Sequence, residues 1–259
     1  VNAEKFTDEV ALKWSEANGN IFPILDRPAF SKLYDYDFSL KSSVNSAKYY
    51  QENRSKSDAY VLNVLQGENK EDMENWYKKI SPYKFEGWGF GGSKGNLALI
   101  GMAILTLLNN GEFDREKCKY LHIFGVSSNE AMIYLQFIQR MLDRQDIDIQ
   151  LTYDSTYWNR TCVFGGYFIR ERYVIGTGME SMNWPNTIDY SKLGKEFQLP
   201  CLCPICEDLD DSYSFFNTFK KNKKGEEKLS FIKFNMMIGF HNLFLQMMYN
   251  KMTNRLLHA

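Results

Sequence analysis

Five short apolar segments alternate with longer amphipathic segments from the start of the chain to Tyr153, and this alternation restricts the possible folds most strongly. The apolar segments predict strands, and the 3.6-residue periodicity of the others predicts helices. Strands are predicted at residues 21–25, 59–65, 83–90, 120–124 and 147–153, and helices at 4–17, 43–55, 71–79, 96–109 and 128–142. Strands that alternate with helices in this way are typical of parallel β/α architecture.

The residue that follows each predicted strand is polar or glycine. These strand ends are Asp26, Gln66-Gly67, the glycine-rich run 87–92, Gly125 and Asp154. In a (β/α)₈ barrel the active site lies at the C-terminal ends of the strands. Because a doubly wound open sheet also binds its ligand there, this pattern alone leaves both folds open.

The alternation stops after Asp154. Residues 161–168 and 172–176 predict a β-hairpin, and a long apolar helix is expected from about 231 to 257. We therefore expect two parts. Residues 1–190 form the parallel β/α part with its hairpin, and residues 191–259 form a metal-binding segment and the C-terminal helix.

Three cysteines, Cys201, Cys203 and Cys206, lie within six residues. A closed structural zinc site needs four Cys or His ligands in tetrahedral geometry, so one further ligand is required. Of the three histidines we assign this role to His241, because it lies on the predicted final helix. The alternative is that the three cysteines pack as small apolar side chains.

Composition and charge bear on the class of protein. The net charge of −1, from 31 basic and 32 acidic side chains, is unlike the basic excess of a dedicated nucleic-acid binder, although residues 220–228 contain five lysines. The apolar runs are shorter than the roughly 18 residues of a membrane span, so no membrane partner is expected. Five cysteines, three of them bunched, favour a reducing compartment and predict a cytoplasmic protein.

The Cys-x-Cys-x-x-Cys triplet, the downstream His-Asn pair and the order of the strand ends resemble the tRNA-guanine (queuine) transglycosylase superfamily. The resemblance implies a role for individual residues. Asp154 would be the catalytic nucleophile, Asp26, Gln66, Gly67, Gly87 and Gly89 would contact the heterocyclic base, Arg160 would hold the nucleic-acid backbone, and Cys201, Cys203, Cys206 and His241 would bind structural Zn²⁺.

The resemblance also implies a fold and an activity. The fold would be a TIM-type (β/α)₈ barrel represented by its strands 4 to 8, with a C-terminal zinc-binding subdomain. The activity would be that of a pentosyltransferase, which replaces guanine by a 7-deazaguanine in tRNA or DNA. Residues 155–159 depart from the proline- and arginine-containing run that is usual in the family, and this favours the branch that modifies DNA.

The family's aspartate general acid/base belongs to the first three barrel strands, and no segment of this sequence supplies it. We therefore expect either a longer protein, of which this chain is the C-terminal part, or a complementing subunit. A homo-oligomer is a further expectation.

The chemistry follows from the residue types. A carboxylate at C1′ can trap the oxocarbenium-like sugar that base removal creates. A second carboxylate can recognise the base edge, and the aromatic residues Trp88, Phe90, Tyr153 and Tyr157 are candidates to sandwich the base.

Each assignment has a structural alternative. Asp26 can cap a turn, Gln66-Gly67 can open a loop, and Asp154 can cap a helix. Two other functions stay open. One is a non-catalytic, zinc-stabilised subunit that binds nucleic acid or a partner chain. The other is a β/α enzyme that acts on a small phosphate, because residues 87–92 are glycine-rich.

Overall fold

The computed structural model describes residues 6–29, 33–56, 58–92, 95–126, 128–154, 156, 166–169, 180–183, 203–207 and 228–258. The chain divides into two compact units, Val1–Ser155 and Thr156–Ala259. The division predicted between residues 190 and 191 falls among residues outside the described part and stays a prediction.

The first unit is an α/β structure built on a five-stranded parallel sheet that curls into a half-barrel. Its strands are β1 (Ile21–Pro23), β2 (Tyr60–Leu65), β3 (Gly87–Phe90), β4 (Tyr120–Ile123) and β5 (Gln150–Tyr153). Each strand pairs with the strand before it in the sequence, giving the order β1-β2-β3-β4-β5. The parallel α/β class is thus confirmed, whereas closure into a complete TIM barrel stays a prediction.

One helix precedes β1 and four connect the strands, and each begins where a side chain caps it. They are α1 (Asp8–Asn18), α2 (Tyr36–Asn53), α3 (Lys70–Ile80), α4 (Leu97–Asn109) and α5 (Asn129–Arg144), with a 3₁₀ turn at Glu112–Asp114. The capping side chains, each of which accepts a backbone N–H of the first turn, belong to Thr7, Asp35, Asn69, Asn96 and Ser128. Such caps satisfy N–H groups that the helix itself leaves unpaired.

The two faces of the sheet differ in composition. One face lies against the helices and forms the core, with Val61, Leu65, Leu121 and Ile123 buried on it. Trp88 also lies on this face, because its ring contacts Tyr77 of α3. The other face, here called the inner face, carries the alternate residues, which the strand register aligns: Leu62, Val64, Gly87, Gly89, Tyr120, His122, Gln150 and Thr152.

In the second unit a hairpin and two helices are described. Strand β6 (Gly166–Ile169) pairs antiparallel with β7 (Glu180–Asn183), and α6 (Pro204–Glu207) and α7 (Lys228–His258) follow. A hairpin was predicted from residues 161–168 and 172–176; the first segment overlaps β6, and the second lies outside the described residues.

Within the described residues no helix is both long enough and apolar enough to cross a membrane.

Candidate active site and metal centre

The carboxyl ends of the five parallel strands lie along one edge of the sheet. Asp26, Gln66, Gly91, Phe124 and Asp154 all follow their strands toward this edge. The sequence-predicted strand ends are therefore brought to the same side of the sheet, where a parallel sheet places its ligand.

Asp26 and Gln66 form a closely paired group at the β1 and β2 ends. The Gln66 side-chain amide donates to Asp26 Oδ2 at 2.6 Å and to the Arg27 carbonyl oxygen at 3.1 Å. Its oxygen accepts the Ala29 N–H at 2.7 Å. Gln66 is buried and uses both ends of its amide to hold residues 26–29. It fixes the orientation of Asp26 through these bonds.

The Asp26 carboxyl has an unusual proton affinity. Burial raises its pKa to about 6, although the charge of Arg27 and the hydrogen bond from Gln66 act in the opposite direction. A carboxyl with a pKa near the working pH can exist in both protonation states during a reaction. Asp26 is thus suited either to donate a proton to a ligand or to accept one from it.

The glycines have packing roles that the sequence did not reveal. A Cβ at Gly67 would lie 2.8 Å from the backbone nitrogen of Met73, so glycine allows α3 to approach the end of β2. Gly87 is the first residue of β3 and lies next to Tyr120, at the end of the strand opposite the carboxyl edge. The expectation that Gly87 lies with the strand-end residues is wrong, because β3 begins there and ends at Phe90.

Gly89 leaves room for an aromatic side chain. A Cβ on Gly89 would come within 2.6 Å of the Phe124 ring, so that ring occupies the inner face over the glycine. The expectation that Trp88 and Phe90 sandwich a base is also wrong, because both are buried on the helix-covered face. The alternation of side chains along β3 could have predicted this, since odd and even residues of a strand point to opposite faces of the sheet. Phe124 is an inner-face aromatic residue whose role was not predicted from the sequence.

Asp154 is held in place by the turn that follows β4. Its Oδ1 accepts the Gly125 N–H at 3.0 Å, and its carbonyl oxygen accepts the Val126 N–H at 2.8 Å. Gly125 has a φ of +70°, a conformation that glycine adopts without strain. The carboxylate is nevertheless accessible, with 59% of the side chain exposed. Such a group is both oriented and open to a substrate.

His122 lies beside this carboxylate. Its Nε2 is 3.4 Å from Asp154 Oδ1, and its Nδ1 is 2.8 Å from the hydroxyl of Thr152. Burial lowers the pKa of His122, although the Asp154 carboxylate opposes this effect, so the ring is neutral near pH 7. From the sequence, His241 rather than His122 was assigned as the fourth metal ligand, and no catalytic role was predicted for His122. His122 lies two residues before Phe124, and alternate residues of a strand share a face. This spacing could have predicted that His122 lies on the inner face.

The second unit contains a cluster that can hold a metal ion. The potential ligand atoms of Cys203, Cys206 and His241 all lie within 4.8 Å of one another. His241 Nδ1 is 3.1 Å from Cys203 Sγ and 3.3 Å from Cys206 Sγ. Two ligands of a tetrahedral zinc ion, bound at about 2.3 Å by sulfur and 2.0 Å by nitrogen, are about 3.6 Å apart. The arrangement therefore fits a metal ion after only a small expansion.

Local structure prepares these ligands. Pro204 begins α6, a position that suits its fixed φ, and the turn closes when Glu207 N–H donates to the Cys203 carbonyl oxygen at 2.9 Å. The Cys206 N–H donates to Cys203 Sγ at 3.3 Å. His241 lies on the buried face of α7, together with Ile238, Asn242 and Leu245. The helical spacing i, i+3, i+4, i+7 explains their common burial.

Three of the predicted site residues lie outside the described residues. These are Cys201, the expected fourth ligand, Arg160, the expected contact to the nucleic-acid backbone, and Tyr157, a candidate to sandwich the base.

No family model matches this chain, and no curated protein is significantly similar to it.

Proposed function

We propose that this protein exchanges a base in nucleic acid, replacing guanine by a 7-deazaguanine through a covalent intermediate on Asp154. The observation that carries the proposal is the Asp154 carboxylate itself, which is exposed at the end of β5 and oriented by the Gly125 N–H. An ionised, aimed carboxylate is what nucleophilic attack at a sugar carbon requires.

The first step breaks the bond between the sugar and guanine. One Asp154 oxygen attacks C1′ and forms an ester-like bond to the sugar. The C1′–N9 bond breaks, and its electron pair leaves with guanine, which takes up one proton. The transition state has oxocarbenium character, so the negative carboxylate stabilises it electrostatically as well as trapping the product.

The second step reverses the first with a different base. N9 of the incoming 7-deazaguanine attacks C1′ and loses its proton, while the bond from C1′ to Asp154 breaks and regenerates the carboxylate. Because guanine gains one proton and the incoming base loses one, the exchange is neutral overall. Asp26, with its pKa of about 6, is suited to accept a hydrogen bond from the base or to donate one.

The metal cluster has a supporting role in this proposal. Cys203, Cys206 and His241, with Cys201 as the proposed fourth ligand, would bind one Zn²⁺. A zinc ion with four protein ligands has no open position for a substrate, so it stabilises the fold and takes no part in base exchange.

Asp154→Asn is the decisive variant, because Asn keeps the shape and loses the nucleophilic charge. Wild-type protein incubated with guanine-containing nucleic acid should give an adduct that resists denaturant, and exchange should fall by at least about 10³-fold in the variant. The assay uses a tRNA transcript and a duplex DNA oligonucleotide in parallel, which identifies the acceptor; we expect DNA.

Asp148→Asn, which changes an exposed aspartate before β5, is the matched control and should exchange guanine at the wild-type rate. An Asp154→Asn variant with undiminished exchange would refute the proposed nucleophile. If the folded, metal-loaded wild type binds nucleic acid without forming an adduct, the alternative function applies, namely that of a zinc-stabilised binding or partner subunit.

A further inference from the structure

The side chains of Thr152, His122 and Asp154 form a line of polar contacts that ends at the proposed nucleophile. His122 of β4 and Thr152 of β5 are register partners on the inner face, and Asp154 follows two residues after Thr152. The Thr152 hydroxyl lies 2.8 Å from His122 Nδ1, and His122 Nε2 lies 3.4 Å from Asp154 Oδ1. The strand register therefore places an imidazole between a hydroxyl and a carboxylate.

The chemistry of the three groups determines the direction of the line. A neutral imidazole has one N–H donor and one acceptor nitrogen, and a carboxylate can only accept. Nε2 must therefore carry the proton that faces Asp154. Nδ1 is then the acceptor, and the Thr152 hydroxyl donates to it.

Neighbouring groups fix the imidazole plane. The Phe124 ring packs edge-on against His122, with centroids 4.6 Å apart and an interplanar angle of 68°. Phe124 is itself held over Gly89, where a side chain would collide with it. Only 19% of the His122 side chain is exposed. The ring is thus clamped by packing on one side and by Thr152 on the other.

Both donors to the Asp154 side chain converge on the same oxygen. Gly125 N–H and His122 Nε2 approach Oδ1, the first at 3.0 Å and the second at 3.4 Å. The longer contact exceeds an ordinary hydrogen bond, and a shift of a few tenths of an ångström would complete it. Contacts of this kind often shorten when substrate binds.

We propose that His122, oriented by Thr152, is a positioning residue that fixes Oδ1 of Asp154 and thereby assigns the attack on C1′ to Oδ2. This inference rests on the proposed function.

The same two donors also act in the second step. Once Oδ2 is bonded to C1′, Oδ1 is the carbonyl oxygen of the ester. When the incoming base displaces the ester, the electron pair of the C1′–Oδ2 bond returns to the carboxylate. Negative charge then develops on Oδ1, where the Gly125 and His122 donors stabilise it. Loss of His122 should therefore slow both formation and breakdown of the adduct.

The experiment compares His122→Gln with His122→Leu in the full chain, using adduct formation on a guanine-containing DNA duplex and on a tRNA transcript. The Gln amide can replace the Nε2 donor, whereas Leu cannot. We expect the Leu variant to form adduct about 10- to 100-fold more slowly at saturating nucleic acid, with the half-saturating concentration unchanged. Gln should recover most of that loss.

Thr152→Val and Tyr120→Phe complete the series. Val has the shape of Thr without the hydroxyl, so it should slow adduct formation less than Leu does at residue 122. Tyr120 precedes His122 by two residues on the same face and pairs with the Tyr60 ring, so removing its hydroxyl should leave the rate unchanged. Equal rates in wild type and His122→Leu would overturn the inference.

A second measurement does not depend on catalysis. Nitrogen-15 NMR of the wild-type protein near pH 7 should show His122 as the Nε2–H tautomer, and the Thr152→Val variant should lose part of that preference. A His122 ring found as the Nδ1–H tautomer would overturn the inference. The NMR result stands even if the wild type forms no adduct, so failure of the proposed function can be distinguished from failure of the inference.

Discussion

At the scale of single residues, Glu112 is a buried charge that the fold surrounds with donors. Its side chain is 1% exposed. It accepts hydrogen bonds from Tyr77 at 2.9 Å, from Trp88 at 3.0 Å and from Lys84 at 3.2 Å, and it also pairs with Arg115. Burial alone would raise the pKa of Glu112, but the bonds from Trp88, Arg115 and Tyr77 outweigh it and the pKa is lowered. The carboxylate thus joins α3, β3 and the 3₁₀ turn.

Glu112→Gln should therefore destabilise the first unit by about 3 kcal/mol, because it leaves the partly buried Arg115 without its charged partner. Urea unfolding followed by tryptophan fluorescence measures this loss, since Trp88 contacts the altered group. Glu116→Gln makes the same change of charge at an exposed position and should cost less than about 0.5 kcal/mol.

The same residue predicts a pH dependence. A folded-state pKa below the usual 4.5 means that the stabilisation is complete above the unfolded-state pKa and is lost as the pH falls through the folded-state value. The stability difference between wild type and Glu112→Gln should thus shrink below about pH 4.5. A difference that stayed constant down to pH 3 would contradict the assignment of this stabilisation to the Glu112 charge.

At the scale of elements, the Cys203, Cys206 and His241 cluster, which can hold a metal ion, connects α6 to α7. Because a structural metal contributes its binding energy to folding, Cys203→Ser should bind zinc at least about 10-fold more weakly and should loosen α7 around His241. Metal analysis of purified protein gives the stoichiometry, which we expect to be one zinc per wild-type chain. Hydrogen exchange over residues 236–250 reports the helix.

Cys118→Ala is the matched control for the metal prediction, because Cys118 is buried in the first unit. This variant should keep its zinc and the protection of α7. Full retention of zinc by Cys203→Ser would contradict the prediction that this cluster binds the metal.

At the scale of the whole molecule, the five-stranded sheet has β1 and β5 as its outermost strands. An unpaired strand edge invites association with another chain. Ile21 of β1 adds an apolar side chain that is 44% exposed. We expect the chain to self-associate at micromolar concentration. Ile21→Lys should shift the population toward monomer in light scattering after size-exclusion chromatography.

Leu105→Lys on α4 is the matched control for association, since Leu105 is exposed on a helix away from the strand edge. It should associate as the wild type does. A wild-type chain that is monomeric at all concentrations tested would contradict the prediction.

Much of the first unit was predictable, because strand and helix periods are local properties of the sequence. The starting residues of helices were less so. The predicted start at Ser43 missed the first turns of α2, where the Asp35 side chain caps the Phe38 N–H. The cap at Asp35 could not be found from the spacing of apolar residues, because the helix begins with Tyr36 and Asp37.

For the candidate site, the sequence predicted which residues follow the strands, but it did not predict which side chains face the site. Asp26, Gln66 and Asp154 follow their strands as expected. The positions of Trp88 and Phe124 depend on which alternate set of side chains in each strand faces the helices. A shift of one residue along the strand moves every side chain to the opposite face. The partner of β6 could not be found from sequence, since the pairing of Gly166 with Asn183 is a long-range contact.

The strand order of the sheet has a consequence for how the protein is made. Since each strand pairs with the one synthesised just before it, the growing chain never has to open an existing pair in order to insert a later strand. As each new strand leaves the ribosome, the preceding strand is already available to pair with it. The chain segment that joins the two strands is short, so little entropy is lost when they pair. Asp154 follows β5, so it is synthesised only after the turn at Gly125, which orients its side chain. Ribosome-bound chains should therefore acquire the sheet in steps, one strand at a time.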